Sequence, residues 1–474
     1  MNRGVFIAMP VYQGAEVIEE TIRSILAQTF TDFHLVMSVD GADDPTVEVC
    51  RKYADDPRID VVVQEHRLGW PGNFNWLVEN CDREFFCYWQ QDDLASTGYL
   101  ENLRRELLAR PDAAIAYTDV QWFGATFDRT STPSIEGDPL SRVMQHVEAI
   151  RYEPLRGLMR TSMIPSGPDP IPVTEDESCQ EEFVFLTHLA GDGAFVRIDS
   201  AMYFKRLHDA NAFMRWTHFP DWRRRRGWIS MGAGMYRIAI GLAAPAERPV
   251  ITAQIADRLA VIRHGRGHFY APPQTSSEIT RFVRDFVAYA GLEPEDLGPS
   301  GIRPDGLQRP VNEDVLRALE AERIRARTRS DLGAELQDAG RLSLDATAPT
   351  GEALLGYGWS KVEDWGVWTD GGEARVHVPA PPGSSWTMTI EGPAFADSEL
   401  ARVRYCAGTG PLLETTVPTG TPGAVVVGSD GRATTIRLLL PDAVAPEMIG
   451  ISADPRVLGF GLQHIDIELV DPPS

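Results

Sequence analysis

The sequence has little cysteine, a deficit of basic residues and no long apolar run, and each shortage excludes a class of protein. The five cysteines are sparse, odd in number and without metal-ligand spacing, which favours reduced thiols in a cytoplasmic protein: Cys50, Cys81, Cys87, Cys179 and Cys406. Against 45 Lys and Arg stand 68 Asp and Glu, a formal net charge of -23. General nucleic-acid binding is therefore not expected, because phosphates require basic surface. A local basic pocket for a phosphorylated small ligand remains compatible with this charge.

Two further absences concern membranes. No run approaches the roughly 18 apolar residues that a membrane span needs. The apolar part of the N-terminal MNRGVFIAMPVY is too short for a signal peptide. We therefore expect a cytoplasmic protein without a transmembrane segment, with peripheral contact at the inner membrane as the most that membrane association would involve.

What is present is a chain whose pattern changes twice. Its 474 residues are too many for one compact core, so two or three domains are expected. Residues 1–225 alternate apolar runs with helical spacing, which indicates an α/β sheet with right-handed crossovers. Residues 226–338 carry helical patterns and a Pro/Gly-rich spacer, and we interpret them as a helical extension and linker. Residues 339–474 carry short alternating runs between Gly, Pro and Asp turns, typical of an antiparallel β-sandwich.

The stretch FFCYWQQDDL, residues 85–94, sets a run of apolar and aromatic residues directly before two amides and two carboxylates. It is typical of a buried strand that ends at the edge where α/β sheets bind ligands. Other predicted strands also end in polar or aromatic residues, so a parallel sheet would bring together Tyr12, Asp40, Asp92 and Asp93. An aromatic ring can stack on a nucleobase, and paired carboxylates can hold Mg²⁺ or Mn²⁺. A turn former or helix cap is the alternative for each Asp.

Residues 4–120 resemble the nucleotide-sugar half of family 2 glycosyltransferases, which have the GT-A fold, a Rossmann-like nucleotide-diphospho-sugar transferase fold. The resemblance rests on MPVYQGAEVIEETIRSILAQTFTDFHLVMSVDGADDPT (9–46), RLGWPGNFNWLVENC (67–81) and YWQQDDLASTGYLENL (88–103). It implies nucleotide contacts from two groups of residues. These are Pro10, Val11, Tyr12, Asp40 and Asp43 at the base, and Arg67, Asn73 and Asn75 towards the donor sugar.

The QQDD segment falls where that family has its DXD motif, whose carboxylates grip a divalent metal and the ribose of the donor. Here Gln90 stands where the first Asp is usual. The resemblance implies Mg²⁺ or Mn²⁺ held by Asp92, Asp93 and His208, with Gln91 and Asp92 also contacting the nucleotide. A metal-independent site, in which amides bind the ribose, is the alternative.

The resemblance continues less tightly after residue 150. EPLRGLMRTSMI (153–164) is similar to the family segment before the acceptor loop, and Glu181-Glu182 match an acid pair whose second member is the general base of inverting enzymes. We expect Glu182 to be the base, with Glu181 or Asp176 as fallback, and helix-dipole complementation as the alternative. KRLHDAN (205–211) matches the loop over the donor, where Arg206 would offset diphosphate charge and His208 would ligate the metal or meet the phosphate.

Two features of the remaining chain leave alternatives open. The run WRRRR (222–226) is compatible with a lipid-phosphate acceptor or an anionic membrane surface, and also with a solvated helix face or subunit contact. Trp359, Trp365 and Trp368 precede the sandwich strands. If exposed, they would stack on sugar rings in a carbohydrate-binding module, and if buried they would pack the core. Sandwich edges also serve oligomerisation, so a homo-oligomer is a further possibility.

Together these features predict an inverting glycosyltransferase. It would move a sugar from a nucleotide-diphosphate sugar, with UDP favoured, to a hydroxyl of a glycan or lipid-linked acceptor in bacterial surface polysaccharide synthesis. A nucleotidyltransferase is the second hypothesis, although PVYQGAEV lacks the Gly-rich basic loop of such enzymes. A non-catalytic glycan-binding protein on a degenerate scaffold is the third, because Gln90 and Glu182 depart from the family pattern.

Overall fold

The computed structural model describes residues 2–41, 43–167, 170–171, 181–208, 218–261, 273–298, 310–429 and 433–470. The chain folds into two compact units. The first unit comprises Met1–His218 and Gly234–Leu242, and the second unit comprises Phe219–Ala233 and Ala243–Ser474. The three-part division at residues 225 and 338 that the sequence suggests stays a prediction.

The first unit begins with four parallel strands joined by helices. The strands are β1 (Asn2–Val11), β2 (Phe33–Val39), β3 (Ile59–Val63) and β4 (Arg83–Tyr88), in the spatial order β3-β2-β1-β4. The helices are α1 (Ile18–Leu26), α2 (Thr46–Arg51) and α3 (Gly69–Glu79). Val11 lies opposite Val39, and Val39 lies opposite Val63. Strands β1, β2 and β3 therefore end level with one another, whereas the last residue of β4, Tyr88, lies opposite Ala8. We call the side of the sheet where these strands end the carboxyl edge.

The sheet continues beyond β4 with strands of mixed direction. They are β5 (Leu94–Ala95), β6 (Ala113–Gly124), β7 (Asp128–Thr130), β8 (Leu158–Arg160) and β9 (Ala194–Leu207), with helices α4 (Tyr99–Ala109), α5 (Pro139–Ala149) and α6 (Glu181–Asp192). Strand β8 runs antiparallel to both β4 and β6, whereas β9 runs parallel to β6 and antiparallel to β5. The β5–β9 pairing sets Leu94 opposite Phe204, which brings the end of β9 to the segment that follows β4.

Residues 85–89 are all apolar or aromatic, because helices cover both faces of this part of β4 and of the residue that follows it. Phe86 and Tyr88 pack against Phe74 of α3, at ring-centroid distances of 5.7 and 5.4 Å. On the other face, Trp89 packs against Tyr99 of α4 at 5.7 Å. A strand that is buried on both faces has no solvated side and so loses the alternation of apolar and polar residues. Burial of each large side chain contributes roughly 1.5–3 kcal/mol, which holds the backbone that leads into Gln90.

The second unit combines helices with an antiparallel sandwich. Its helices are α7 (Asp221–Leu242, of which residues 221–233 belong to this unit), α8 (Arg248–Val261), α9 (Ser276–Ala290), α10 (Pro294–Leu297), α11 (Glu313–Ala339) and α12 (Pro349–Glu352). Leu332 and Leu336 of α11 are buried in the core of the sandwich, so this helix packs on the strands. No helix within the described ranges is long and apolar enough to cross a membrane.

The sandwich has two four-stranded antiparallel sheets and a short two-stranded one, which confirms the fold class predicted for this region. Its strands are β10 (Arg341–Asp345), β11 (Val367–Trp368), β12 (Glu373–His377), β13 (Trp386–Pro393), β14 (Leu400–Ala407), β15 (Leu413–Pro418), β16 (Pro422–Ser429), β17 (Thr435–Leu439), β18 (Gly461–Leu462) and β19 (His464–Leu469). The four-stranded sheets have the orders β10-β19-β13-β16 and β12-β17-β14-β15. The apolar positions of their alternating strands face inwards and form one core.

The tryptophans before these strands have two different environments. Trp359 is fully buried in the core, and its Nε1 donates to the carbonyl oxygen of Arg375 at 2.7 Å. Trp365 and Trp368 are half-buried and lie with ring centroids 4.9 Å apart. Core packing thus accounts for Trp359, whereas the other two rings keep partly exposed surface.

The WRRRR run is largely internal to the second unit. Arg226 forms an ion pair with the buried Glu373, with its Nη1 3.2 Å from Glu373 Oε2. Arg225 donates from Nη2 to the carbonyl oxygen of Asp370 at 3.2 Å and has its Nε 3.7 Å from Asp285 Oδ2. The interpretation of the run as a solvated helix face is therefore wrong for Arg225 and Arg226, because their charges are matched by acids of the same unit.

Candidate functional site

The carboxyl edge brings Tyr12, Asp40 and the segment after β4 together. The backbone N–H of Asp40 donates to the carbonyl oxygen of Val11 at 2.8 Å, which ties the end of β2 to the end of β1. Gln91 binds Tyr12 twice: its Oε1 accepts from the Tyr12 backbone N–H at 2.9 Å, and its Nε2 donates to the Tyr12 carbonyl at 2.8 Å. Gly14 gives Gln91 room for this, since a Cβ at position 14 would lie 2.5 Å from Gln91 Oε1.

Asp40 holds the start of α3. Its Oδ1 accepts from the backbone N–H of Leu68 at 2.6 Å, and its Oδ2 accepts from that of Gly69 at 3.0 Å. The side chain is buried, and burial raises its pKa, while the two N–H donors and Arg67 act in the opposite direction. Gly69 has φ 69, a left-handed conformation that glycine adopts without strain. The structure thus places Asp40 beside the loop that carries Arg67.

Arg67 and Tyr12 form a stacked pair at this edge. The guanidinium carbon of Arg67 lies 4.3 Å from the centroid of the Tyr12 ring. Arg67 is exposed and Tyr12 is half-buried, so the pair lies at the surface of the first unit. A planar cation over an aromatic ring is attracted by the ring quadrupole, and both groups can stack on a nucleobase.

The loop after β2 is organised by Asp44, which the sequence interpretation did not select. Its Oδ1 accepts from the Thr46 backbone N–H at 2.8 Å and from Thr46 Oγ1 at 2.6 Å, while Oδ2 accepts from the Gln13 backbone N–H. Gln13 has φ 50, so these bonds hold a strained residue directly after Tyr12. The predicted contact Asp43 is exposed beside it. The D-x-T spacing of Asp44 and Thr46 was the available signal, because Asp caps its own loop in this pattern.

Of the other predicted nucleotide contacts, Pro10, Val11, Asn73 and Asn75 serve packing and local bonding in this structure. Val11 is buried in the core, and Pro10 precedes it in β1. Asn73 Nδ2 donates to the carbonyl oxygen of Ser38 at 2.9 Å. Asn75 exchanges two hydrogen bonds with the backbone of Ile171, at 2.7 and 2.9 Å. Both amides are buried and tie α3 to its neighbours.

The side chain of Gln90 is hydrogen-bonded to two buried cationic side chains, Arg156 and Lys205. Its Oε1 accepts from Arg156 Nη2 at 2.8 Å and from Lys205 Nζ at 2.8 Å. Arg156 lies in the 3₁₀ turn before β8, and Lys205 lies in β9. Both are among the residues that sequence reasoning missed, although each stands in a segment with family resemblance. A neutral amide here receives two charge-assisted hydrogen bonds.

Asp93 is an interior carboxylate. It is 0% exposed, its Oδ1 accepts from the backbone N–H of Arg206 at 2.9 Å, and its Oδ2 lies 3.7 Å from Lys205 Nζ. Burial raises the pKa of Asp93 to about 6, against the opposing charges of Lys205 and Arg156. The same burial lowers the pKa of Lys205, which Asp93 opposes. Asp93 therefore binds the end of β9 to the segment after β4.

Asp92, which is largely buried, pairs with the more exposed His208 at this edge. His208 Nε2 lies 2.9 Å from Asp92 Oδ2, and both side chains retain partial exposure. Within the described residues, no group of three or more His, Cys, Asp and Glu side chains could hold a metal ion. The pair offers one oxygen and one nitrogen donor, so a divalent cation held here would need further oxygen ligands from a bound substrate or from water. The carboxylate of Asp93, the third predicted metal ligand, is instead bound in the interior by the backbone N–H of Arg206 and lies near Lys205.

Arg206 is hydrogen-bonded to the backbone of the segment after β4. Its Nε donates to the carbonyl oxygen of Asp92 at 3.1 Å, and its Nη2 forms an ion pair with Glu20 of α1. The guanidinium carbon also lies 4.6 Å from the centroid of the Phe123 ring. In this arrangement Arg206 holds the backbone of Asp92, next to the position where the sequence predicts diphosphate binding.

The acid pair at the start of α6 is described in part. Asp176 lies outside the described residues, and for Glu181 only its place as the first residue of α6 is described. Burial chiefly raises the pKa of Tyr152, with the charge of Glu182 among the further causes. The Tyr152 ring contacts Arg156, whose guanidinium carbon is 4.8 Å from its centroid. Glu182 therefore lies close enough to Tyr152 for its charge to act on the pKa of that residue.

Comparison with known proteins gives a family match for the N-terminal part of the chain, which contributes some of the residues of this site. Residues 6–163 match the model for Glycosyl transferase family 2. An uncharacterized glycosyltransferase of Rickettsia typhi is 32% identical over 98 residues, which cover 21% of this chain and 30% of that protein. The chain thus covers less than a third of the length of the first three curated relatives, at 30%, 13% and 16%.

Two solved structures show a distant likeness. S. aureus TarS 1-349 in complex with UDP-GlcNAc is 16% identical, with a TM-score of 0.48, covering 60% of this chain and 81% of that one. The mannosyltransferase PcManGT from Pyrobaculum calidifontis, in complex with GDP-Man and Mn2+, is 14% identical, with a TM-score of 0.38, covering 55% of this chain and 71% of that one.

Proposed function

We propose that the protein is an inverting glycosyltransferase, starting from the match of residues 6–163 to the model for Glycosyl transferase family 2. It would transfer a sugar from a nucleotide-diphosphate sugar to a hydroxyl of a glycan or lipid-linked acceptor in bacterial surface polysaccharide synthesis. The family match supports glycosyl transfer as the reaction class. The donor, the acceptor and inversion are proposals that rest on the residues of the carboxyl edge.

The observation that carries the proposal is the order of groups along this edge. Tyr12 and Arg67 present a stacked aromatic and cation, Gln91 joins Tyr12 to the segment after β4, and Asp92 with His208 follows on that segment. This spatial order matches the parts of a nucleoside diphosphate: a planar surface would contact the base, polar groups would follow, and positive charge or a metal would meet the phosphates.

The chemistry assigned to this chain's residues is a single displacement. Asp92 and His208 would hold Mg²⁺ or Mn²⁺, which when bound offsets negative charge on the leaving diphosphate. Glu182 would accept the proton of the acceptor hydroxyl as that oxygen attacks the anomeric carbon. Arg206 would keep the Asp92 backbone in place, since its Nε donates to the Asp92 carbonyl.

The test is a thermal-shift screen of the full chain with UDP, GDP, TDP and CMP, each with and without Mn²⁺. A ligand at about 100 times its dissociation constant should raise the free energy of unfolding by roughly 2.7 kcal/mol. We expect Asp92→Asn to remove the part of the stabilisation that depends on Mn²⁺. Glu182→Gln should bind the nucleotide like the wild type but release sugar from the donor about 100-fold or more slowly. If none of the nucleotides stabilises the wild type, the protein is not a transferase, and the non-catalytic hypothesis takes its place.

A further inference from the structure

The side-chain amide of Gln90 has a fixed orientation because two cationic side chains donate to its oxygen. Arg156 Nη2 and Lys205 Nζ both donate to its Oε1 at 2.8 Å. Neither cation can accept a hydrogen bond, so only the amide oxygen can face them. The NH₂ group of Gln90 must therefore point away from this pair. Gln90 is partly exposed, and its Nε2 has no hydrogen-bond partner among the described residues.

The surroundings of Gln90 favour an anionic partner for this NH₂ group. Arg156 and Lys205 are 6% and 5% exposed, so water screens their charges little. Asp93, 3.7 Å from Lys205, offsets one of the two positive charges. An amide whose oxygen accepts two charge-assisted bonds is also polarised, which makes its N–H a stronger donor.

From this geometry we infer that Gln90 determines specificity at the site by donating a hydrogen bond from Nε2 to a phosphate oxygen of the nucleoside diphosphate. The inference rests on the proposed function and concerns the same site. An acid at position 90 offers only acceptor oxygens when ionised and would suit a hydroxyl group. This chain presents a donor there, over a pair of buried cations, and so suits an oxygen that carries negative charge.

Gln90→Glu is the sharpest variant because it keeps the shape and the acceptor oxygen but replaces the donor with a charge. The binding of the nucleoside diphosphate that gives the largest thermal shift, and of the corresponding nucleoside, is measured by calorimetry on the full chain, with EDTA and separately with Mn²⁺. We expect Gln90→Glu to weaken diphosphate binding at least tenfold in both conditions and to leave nucleoside binding within twofold. Gln145→Glu, which adds the same charge at an exposed position of α5, should change neither.

A second variant and a melting curve keep a folding defect apart from a binding defect. Gln90→Asn keeps the amide and the net charge but is one methylene shorter, so it cannot both bind the cations and reach the phosphate. We expect it to weaken diphosphate binding at least threefold, with a melting temperature close to that of the wild type. If either variant binds the diphosphate like the wild type, the inference is overturned while the proposed function stands. Equal losses for nucleoside and diphosphate would assign Gln90 to the ribose and also overturn it. If the wild type binds no nucleoside diphosphate, the proposed function fails and the inference falls with it.

Discussion

Several polar side chains at the carboxyl edge form hydrogen bonds to the backbone of the protein itself. Both oxygens of Asp40 accept backbone N–H groups, and the Gln91 amide is bonded at both ends to the backbone of Tyr12. Such bonds hold loops in position before a ligand arrives, which lowers the entropy that binding must overcome. A residue of this kind affects stability and binding together.

Asp40→Asn tests this double role. Asparagine has one acceptor oxygen, so its NH₂ group would face the N–H of Leu68 or Gly69 and leave that donor unsatisfied. We expect a loss of about 1–3 kcal/mol in the free energy of unfolding, together with weaker nucleotide binding. The measurement is urea unfolding of the full chain, followed by hydrogen exchange at Leu68 and Gly69. Asp43→Asn removes the same charge from an exposed position of the neighbouring loop and should stay within about 0.5 kcal/mol of the wild type. If the two variants changed the free energy of unfolding equally, the role of Asp40 in holding the start of α3 would be contradicted.

At the scale of elements, the pairing of β5 with β9 decides what lies under the end of β4. It brings Lys205 to Gln90 and Asp93, and the backbone N–H of Arg206 to the Asp93 carboxylate. The cost of burying these charges is offset only if they stay paired, because a single buried charge loses its hydration without compensation.

Lys205→Met measures the strength of this connection. The substitution leaves Asp93 without its buried cation, and we expect a loss of about 3–5 kcal/mol in the free energy of unfolding at neutral pH. The double variant Asp93→Asn with Lys205→Met removes both charges and should recover a substantial part of that loss. A double-mutant cycle from denaturant unfolding gives the coupling energy. Additive effects of the two substitutions would show that the pair is not coupled.

At the scale of the whole molecule, the second unit is joined internally by ion pairs between helices and strands. Glu373 of β12 is 1% exposed and has three arginines around it, Arg226 of α7 with Arg375 and Arg437 of the sandwich. Burial acts to raise the pKa of Glu373, but the three arginines outweigh it and hold that pKa below its usual value. The helical segment and the sandwich thus share one charge network in this unit.

This network makes the stability of the second unit depend on pH. A carboxyl group whose pKa is lower in the folded state contributes stability above its unfolded pKa, about 4.3 for Glu. That contribution is lost as the pH falls through the folded pKa. We expect the protection of residues 373–377 against hydrogen exchange to decrease as the pH falls below about 4.3, and Glu373→Gln to lose roughly 3 kcal/mol at pH 7 and part of this acid dependence.

The control for this experiment is an exposed ion pair of the same sandwich. Glu414→Gln removes an acid that pairs with Arg404 at 2.7 Å, where both side chains are a little under half exposed. Exposed pairs contribute about 0–1 kcal/mol, so this variant should keep the acid dependence of the wild type. An unchanged profile in Glu373→Gln would remove Glu373 from the explanation.

Local sequence pattern was sufficient for the α/β class of the first unit, because burial of one or both faces imposes a period on the chain. The strands β5, β7, β8 and β9 that extend its sheet were not predicted individually. Parallel strands that end in Tyr12, Asp40 and Gln90 then had to share one edge. The same reasoning found the sandwich, although it left open whether its tryptophans are buried. Trp359 is buried in the core, whereas Trp365 and Trp368 are only half-buried.

The sequence by itself determined the α/β pattern that brings Tyr12, Asp40 and Gln90 to the carboxyl edge, and it determined the family that this part of the chain resembles. Only the tertiary structure decided which atoms of those residues are already bonded within the protein. Arg156 and Lys205 are 66 and 115 residues from Gln90 along the chain, yet both bind its amide oxygen. No local period records such contacts, since they arise when β8 and β9 join a sheet that the first four strands began. The glutamine that departs from the family pattern thus gained its physical explanation from strands far along the chain.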